Sequence, residues 1–193
     1  MSDYELSDEV LIKKFQDGDI NAYNQIVYRY KDRLLNFIYR FLNDLDRSED
    51  LVQDTLLKLY THKDSYREIA KFSTWLYTIA ANLARTELRK LKRRKTFSVT
   101  ELSHEDREFI ISSTDADPSD EHLSKNFEKN VQRALLKLPD DFKTIIILRD
   151  IQELSYDEIS KIVKLPLGTV KSRINRGRVK LQQLLTKKGE NPY

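Results

Sequence analysis

Apolar residues recur every three or four positions along most of this chain, and that spacing constrains its fold more than any other feature. Ala22, Ile26, Tyr30, Leu34, Phe37, Ile38 and Phe41 line one side of a long helix that Asp19 can cap and that Asn43 and Asp44 interrupt. Before it, Ser7 caps a short helix with Asp8 and Glu9 in its first turn and Leu6 stapling onto Leu11, and Gly18 ends it. A third helix, from about Ser48 to Thr61, buries Leu51, Val52, Leu56 and Leu59. A fourth, from about Ser73 to Arg94, buries Trp75, Leu76, Ile79 and Leu83, and the loop between them, His62 to Lys71, is polar. With only four Gly and four Pro, the chain lacks the punctuation of a turn-dense sheet. The expectation is an all-α protein whose residues 1–95 form a helical bundle with a basic tail on its last helix.

From Thr96 to Pro118 the periodicity fades and acids accumulate, so residues 96–118 read as an acidic flexible linker. Helices resume near Ser119 with Phe127, Val131, Leu135 and Leu138 on one face, and Pro139 suits the first turn of a helix from Asp140 to Ile151. Ser155 and Glu158 then form a capping box, Leu154 staples onto Ile159, and this short helix ends near Lys164 before Leu165-Pro166 opens another. The final helix buries Val170, Ile174, Leu181 and Leu184 and leaves Lys171, Ser172, Arg173, Arg176 and Arg178 largely free. A short capped helix, a tight turn and a basic second helix make residues 119–193 a helix-turn-helix domain.

Net charge says little here, because 34 Lys and Arg are balanced by 31 Asp and Glu. Distribution says more. Arg85 to Lys95 holds seven basic residues and only Glu87 against them, and Lys171 to Lys180 holds five with no acid. Between them, Thr96 to Leu123 holds eight acids and the single base Arg107. Two nucleic-acid surfaces on either side of a linker that avoids duplex DNA would produce this pattern. The absence of cysteine removes disulfides, thiol nucleophiles and thiolate metal sites, and fits a reducing cytoplasm. The acidic start of the chain and the short apolar runs argue against a signal peptide or membrane insertion. His62, His104 and His122 share no ligand spacing, and no phosphate-cradling Gly loop or catalytic triad is present. No catalytic, cofactor-binding or metal site is therefore expected.

Three constellations carry chemistry. Thr169 to Arg178 offers side chains near a helix N-terminus for base edges and cations further along for phosphates, a solvated basic face being the bland alternative. The segment containing Tyr66, Phe72, Trp75, Tyr77 and Asn82, followed by Arg85, Arg89 and Lys90, mixes aromatics, an amide and cations as single-strand binders do. Within it Trp75 reads as core, and Tyr66, Phe72 and Asn82 as the contacts to bases. Glu49, Asp50, Gln53 and Asp54 share the start of a helix, where a partner-docking surface, a nuclease metal site and an ordinary solvated acidic face compete. Two-metal chemistry needs more converging carboxylates than this helix offers.

The order of these segments resembles a known family. Asp50-Leu-Val-Gln-Asp-Thr55 through Tyr60, then Phe72-Ser-Thr-Trp-Leu-Tyr-Thr-Ile-Ala-Ala-Asn82, is similar to region two of the extracytoplasmic-function sigma factors. Leu138-Pro139, Leu154-Ser-Tyr-Asp-Glu-Ile159 and Pro166-Leu-Gly-Thr-Val-Lys-Ser-Arg173 resemble region four. The resemblance implies a subunit that directs core RNA polymerase to promoters, itself without cofactor. It implies that Glu49, Asp50, Gln53 and Asp54 dock on the clamp helices of the largest polymerase subunit and that region four meets the beta flap. Tyr66, Phe72, Asn82, Arg85, Arg89 and Lys90 would engage the minus-ten element, partly as single strand. Thr169, Lys171, Ser172, Arg173, Arg176 and Arg178 would read the minus-35 duplex, and an anti-sigma protein is a further implied partner. A self-standing helix-turn-helix regulator, with the bundle as a ligand-sensing or dimerisation domain, is the alternative. Three positions depart from the family pattern: Glu68 and Lys164 where relatives commonly have Gly, and Gly177 where they have Ala. About 25 extended linker residues reach roughly 80 Å, enough to let the two parts engage separate promoter elements.

Overall fold

The structure, a computed structural model, describes residues 6–97 and 118–186, with side chains described for 6–94 and 127–186. Its first helix, α1 (Asp8–Gln16), is capped by Ser7, whose hydroxyl accepts from the Val10 amide. Asp19 caps α2 (Ile20–Leu42), which ends when Asn43 turns left-handed at φ 53°. The third helix, α3 (Leu45–Thr61), starts a turn before Ser48, because the Asp44 carboxylate accepts from the Arg47 amide and caps it there. Leu6, expected to staple onto Leu11, packs against the core that contains it.

A short 3-10 turn, Lys63–Ser65, is tied to the end of α1: Gln16 Nε2 donates to the carbonyls of Lys63 and Tyr66, and Lys63 Nζ donates to that of Phe15. Then α4 runs from Phe72 to Phe97, its first amide bonding to the Glu9 carboxylate at 3.2 Å. It thus extends past Thr96, where the linker was expected to begin. Glu68 adopts no left-handed backbone, so this position does not require the glycine found in relatives. The bulk of the acidic linker, with His104, lies outside the described residues.

The C-terminal part begins with α5 (Pro118–Lys137) and α6 (Asp140–Ile146), with Pro139 at the capping position rather than inside the first turn. Beyond Ile146 the expected helix widens into a π turn, Ile147–Ile151, that ends with Glu153 left-handed at φ 56°. Neither feature has a Gly or Asn to announce it. The capping box of Ser155 and Glu158 opens α7 (Tyr156–Val163), and α8 (Leu167–Thr186) follows the turn. The described residues contain helices and no strands, in an N-terminal bundle and a C-terminal helix-turn-helix.

Lys164 holds the turn between α7 and α8 at φ 55°, ψ 48°, a conformation that a β-carbon disfavours. Lys164→Gly should therefore raise stability by about 0.5–1 kcal/mol, read as a higher urea midpoint at unchanged slope. Gly177 has a packing role as well. A β-carbon there would stand 3.0 Å from Ile146 Cγ1, so the missing side chain lets α8 lie close on α6 and offsets its cost of about 1 kcal/mol in helix propensity.

The two parts pack together. The first helix of the helix-turn-helix, α7, lies against α4, while α5 and the π turn lie against α2, and their buried side chains join one apolar cluster. Burial pushes the Tyr77 phenol up to about 12, which keeps its proton for a 2.5 Å bond to Gln152 Oε1. Arg40, also buried, donates to Gln132 Oε1 and pairs with Glu128.

Candidate nucleic-acid interface

The outer face of α3 is set by what its inner face must bury. Leu51, Val52, Thr55, Leu56 and Leu59 point inward, so Glu49, Asp50, Gln53 and Asp54 are all exposed on the opposite side. None of the four forms an ion pair among the described residues. One turn further on, Leu57 is 59% exposed and Tyr60 45%. The acidic face of α3 thus ends in exposed apolar side chains. Leu57 breaks the apolar stripe by standing beside Leu56, which is the signal that could have drawn attention to it.

An open cleft of about 490 Å³ lies where α3, the 3-10 turn and α4 meet, lined by Lys58, His62, Ser65, Trp75, Ile79, Asn82, Leu83 and Thr86. Asn82 is exposed at this cleft, its backbone carbonyl accepting from the Thr86 hydroxyl at 2.8 Å. The aromatic at the cleft is Trp75, half-buried, whereas Phe72 is fully buried and Tyr66 nearly so. Phe72 and Tyr66 are thus buried where exposure was expected, whereas Trp75, expected in the core, packs partly against it and partly lines the cleft. Phe72 packs edge-on against Tyr30 and Tyr66 and lies 6.1 Å from the Trp75 ring, while the Tyr66 hydroxyl donates to the Ala70 carbonyl. Both residues close the loop from inside and present no free ring face. Lys58, His62, Ser65 and Thr86, which sequence reasoning did not select, reach the cleft only through the crossing of α3 and α4.

Along α4 beyond the cleft, Arg89 and Lys90 are exposed and Arg85 is half-buried. Lys90 leans on Glu87 at 3.4 Å, and Glu87 also receives Arg47 at 3.1 Å. Burial and the neighbouring Arg89 push the Arg85 guanidinium down from its ordinary value.

On α8, Val170 and Ile174 are fully buried and fix which face turns outward. Lys171 and Arg176 are exposed; Thr169 and Ser172 are half-buried, and Ser172 donates to the Thr169 carbonyl at 3.0 Å. Arg173 and Arg178 are less free than their sequence positions imply. Arg173 pairs with Asp141 at 3.0 Å, and Arg178 forks onto Asp150 through two bonds, one of 3.1 Å from Nε. The fork holds the Arg178 guanidinium above its ordinary value. Among the described residues no group of His, Cys, Asp and Glu is placed to hold a metal ion, and no helix is long and apolar enough to cross a membrane.

A helical bundle with an open cleft and a basic helix, beside a helix-turn-helix, is the architecture of a DNA-binding protein. Residues 26–94 match the family model Sigma-70 region 2, and residues 128–181 match Sigma-70, region 4. The chain is 38% identical over 177 residues to the ECF RNA polymerase sigma factor SigW of Bacillus subtilis (strain 168), covering 90% of this chain and 94% of that protein. It is 37% identical over 178 residues to the ECF RNA polymerase sigma-E factor of Haemophilus influenzae, covering 90% and 93%. The sigma factor RpoE of Bartonella quintana, solved in complex with the anti-sigma factor NepR, superposes with a TM-score of 0.66 at 30% identity, covering 85% of this chain and 96% of that one. CnrH, solved with the cytosolic domain of CnrY, shares the fold with a TM-score of 0.69 at 23% identity. The chain belongs to the extracytoplasmic-function sigma factors of the sigma-70 family. Its function is promoter-specific initiation of transcription with RNA polymerase, and a match along both parts disfavours a self-standing regulator built on the C-terminal half alone.

Proposed function

We propose that the exposed surfaces divide the work of initiation among the residues described above, in the cytoplasm and without any bond-making chemistry by this chain. Residues 1–95 act as the unit for core binding and minus-ten melting, 96–118 as the linker, and 119–193 as the minus-35 reader. The face of Glu49, Asp50, Gln53, Asp54 and Leu57 docks on the clamp helices of the largest polymerase subunit, and the C-terminal part meets the beta flap. Lys171, Arg173 and Arg176, with Thr169, Ser172 and Arg178, enter the major groove of the minus-35 element. An anti-sigma protein, as found with the Bartonella relative, is the expected restraint.

The observation that carries the minus-ten assignment is the exposed Asn82 amide at a cleft lined by Trp75, Ile79 and Leu83. An amide offers donor and acceptor together, which suits the edge of a displaced base, and the apolar wall suits its face. Arg85, Arg89 and Lys90 continue along the same helix to hold adjoining phosphates. Phe72 and Tyr66 serve this site by shaping the loop from within.

Run-off transcription with core polymerase and a panel of minus-ten variants tests the reading. Asn82→Ala should abolish discrimination at one minus-ten position, worth about 1–3 kcal/mol, while core binding is unchanged. Arg173→Ala should lower output from a minus-35-dependent promoter by a similar amount. Full base discrimination by the Asn82 variant removes it from the pocket, and undiminished output from the Arg173 variant removes α8 as the reader.

A further inference from the structure

Two of the glycines among the described residues have a use within the fold. Gly18 turns left-handed at φ 104° after α1, and Gly177 lets α8 lie close on Ile146. Gly168, in the first turn of α8, has neither use. Its φ is not positive, it is exposed, and a β-carbon built on it would meet no atom within 4 Å. Any residue with a side chain would fit there without strain. Most would also hold the helix better, because a glycine loses more backbone freedom when it becomes helical. Nothing inside the folded chain therefore calls for a glycine at this position.

A reason appears on the outer side of the helix. Lys171 and Ser172 stand three and four residues beyond Gly168 and share its face, and Asn175 continues the row. Val170 and Ile174, fully buried, hold that row outward, and Lys171 and Asn175 are exposed along it. A recognition helix brings its N-terminal residues against base edges in the major groove. The groove is about 12 Å wide and a helix with its side chains is about 10–12 Å across, so little room is left between the helix and the bordering strands. A bare α-carbon lets the backbone come closer than any side chain would. We propose that Gly168 seats a sugar-phosphate strand of the minus-35 duplex, its missing side chain setting how deeply α8 enters the groove and hence which base edges Lys171 and Ser172 reach. Gly168 is in this sense a positioning residue, and the proposal rests on the reading of α8 as the minus-35 helix.

Gly168→Ala separates fold from DNA, because the two should move in opposite directions. The urea midpoint of the free protein should rise at unchanged slope. The affinity of core polymerase carrying the variant for promoter duplex should fall about tenfold, the size of one lost DNA contact. Gly168→Val, whose branched carbon cannot swing aside, should lose more. A strand carries no base identity, so the loss should be the same on every single-base variant of the minus-35 element. On a promoter fragment that ends downstream of that element, parent and variant should bind equally. A lower urea midpoint for Gly168→Ala, an unchanged affinity, a loss confined to one base, or a loss that persists on the truncated fragment overturns the seat. Arg173→Ala checks the underlying reading separately. Normal output from it removes α8 as the reader, whereas lowered output from it beside full affinity in Gly168→Ala overturns the seat alone.

Discussion

Asp50→Lys combined with Asp54→Lys should abolish co-purification with core RNA polymerase while the protein stays folded. Both carboxylates are exposed on α3, and neither forms an ion pair among the described residues, so the fold loses no internal contact when they change. Both lie beyond the first turn of α3, where the helix dipole has largely faded, so replacing acid by base there costs the monomer little. That is well below what removes a cooperative fold. At a docked interface the same change replaces attraction by like-charge repulsion, and several kcal/mol are at stake, a loss of about 100-fold or more in affinity. Circular dichroism and the unfolding midpoint report on the first quantity, and co-purification with purified core reports on the second. Leu57→Ala supplies the apolar counterpart, because truncating an exposed leucine barely affects the monomer but weakens an interface that buries it. A folded double variant that binds core with unchanged affinity would show that α3 is not the dock.

The periodic signals explain which parts of the protein were legible before any coordinates. Ser7, Asp19 and the Ser155–Glu158 box cap helices as their residue types require, and the apolar stripes of α2 and α3 point inward. These are local rules, satisfied within a turn or two. The π turn at Ile147–Ile151 and the left-handed Glu153 obey no such rule; they arise where the chain must fit α6 to α7 over α2. The cleft residues Lys58 and His62 were invisible for the same reason. They become neighbours of Asn82 only when α3 and α4 cross, and a single sequence does not encode that crossing in its spacing. Arg173 and Arg178 appeared free because no acid lies near them in the chain, yet their partners Asp141 and Asp150 come from α6 and the π turn respectively.

The aromatic segment shows where composition misleads. A Trp followed by Leu and Ile at helical spacing resembles core, and a Phe at a helix start after a polar loop resembles an exposed platform. Tertiary packing buries Phe72 completely, at 0% exposure beneath the loop, and leaves Trp75 partly against the core and partly open to the cleft it shares with Asn82. Phe72→Ala should consequently act on stability. The missing ring leaves a cavity among Tyr30, Tyr66 and Trp75 and frees the segment that Glu9 anchors through the Phe72 amide, a loss of about 3–5 kcal/mol. The urea midpoint should fall steeply, and promoter opening should fall only in proportion to the folded fraction. Trp75→Ala should show the opposite balance, with a smaller drop in stability and a loss of strand opening at saturating core polymerase, since base stacking is worth about 1–3 kcal/mol. Stability is measured by chemical unfolding, and strand opening by permanganate reactivity of the minus-ten thymines. A Phe72→Ala protein as stable as the parent, yet unable to open the promoter, would place its ring on the DNA and return Trp75 to the core.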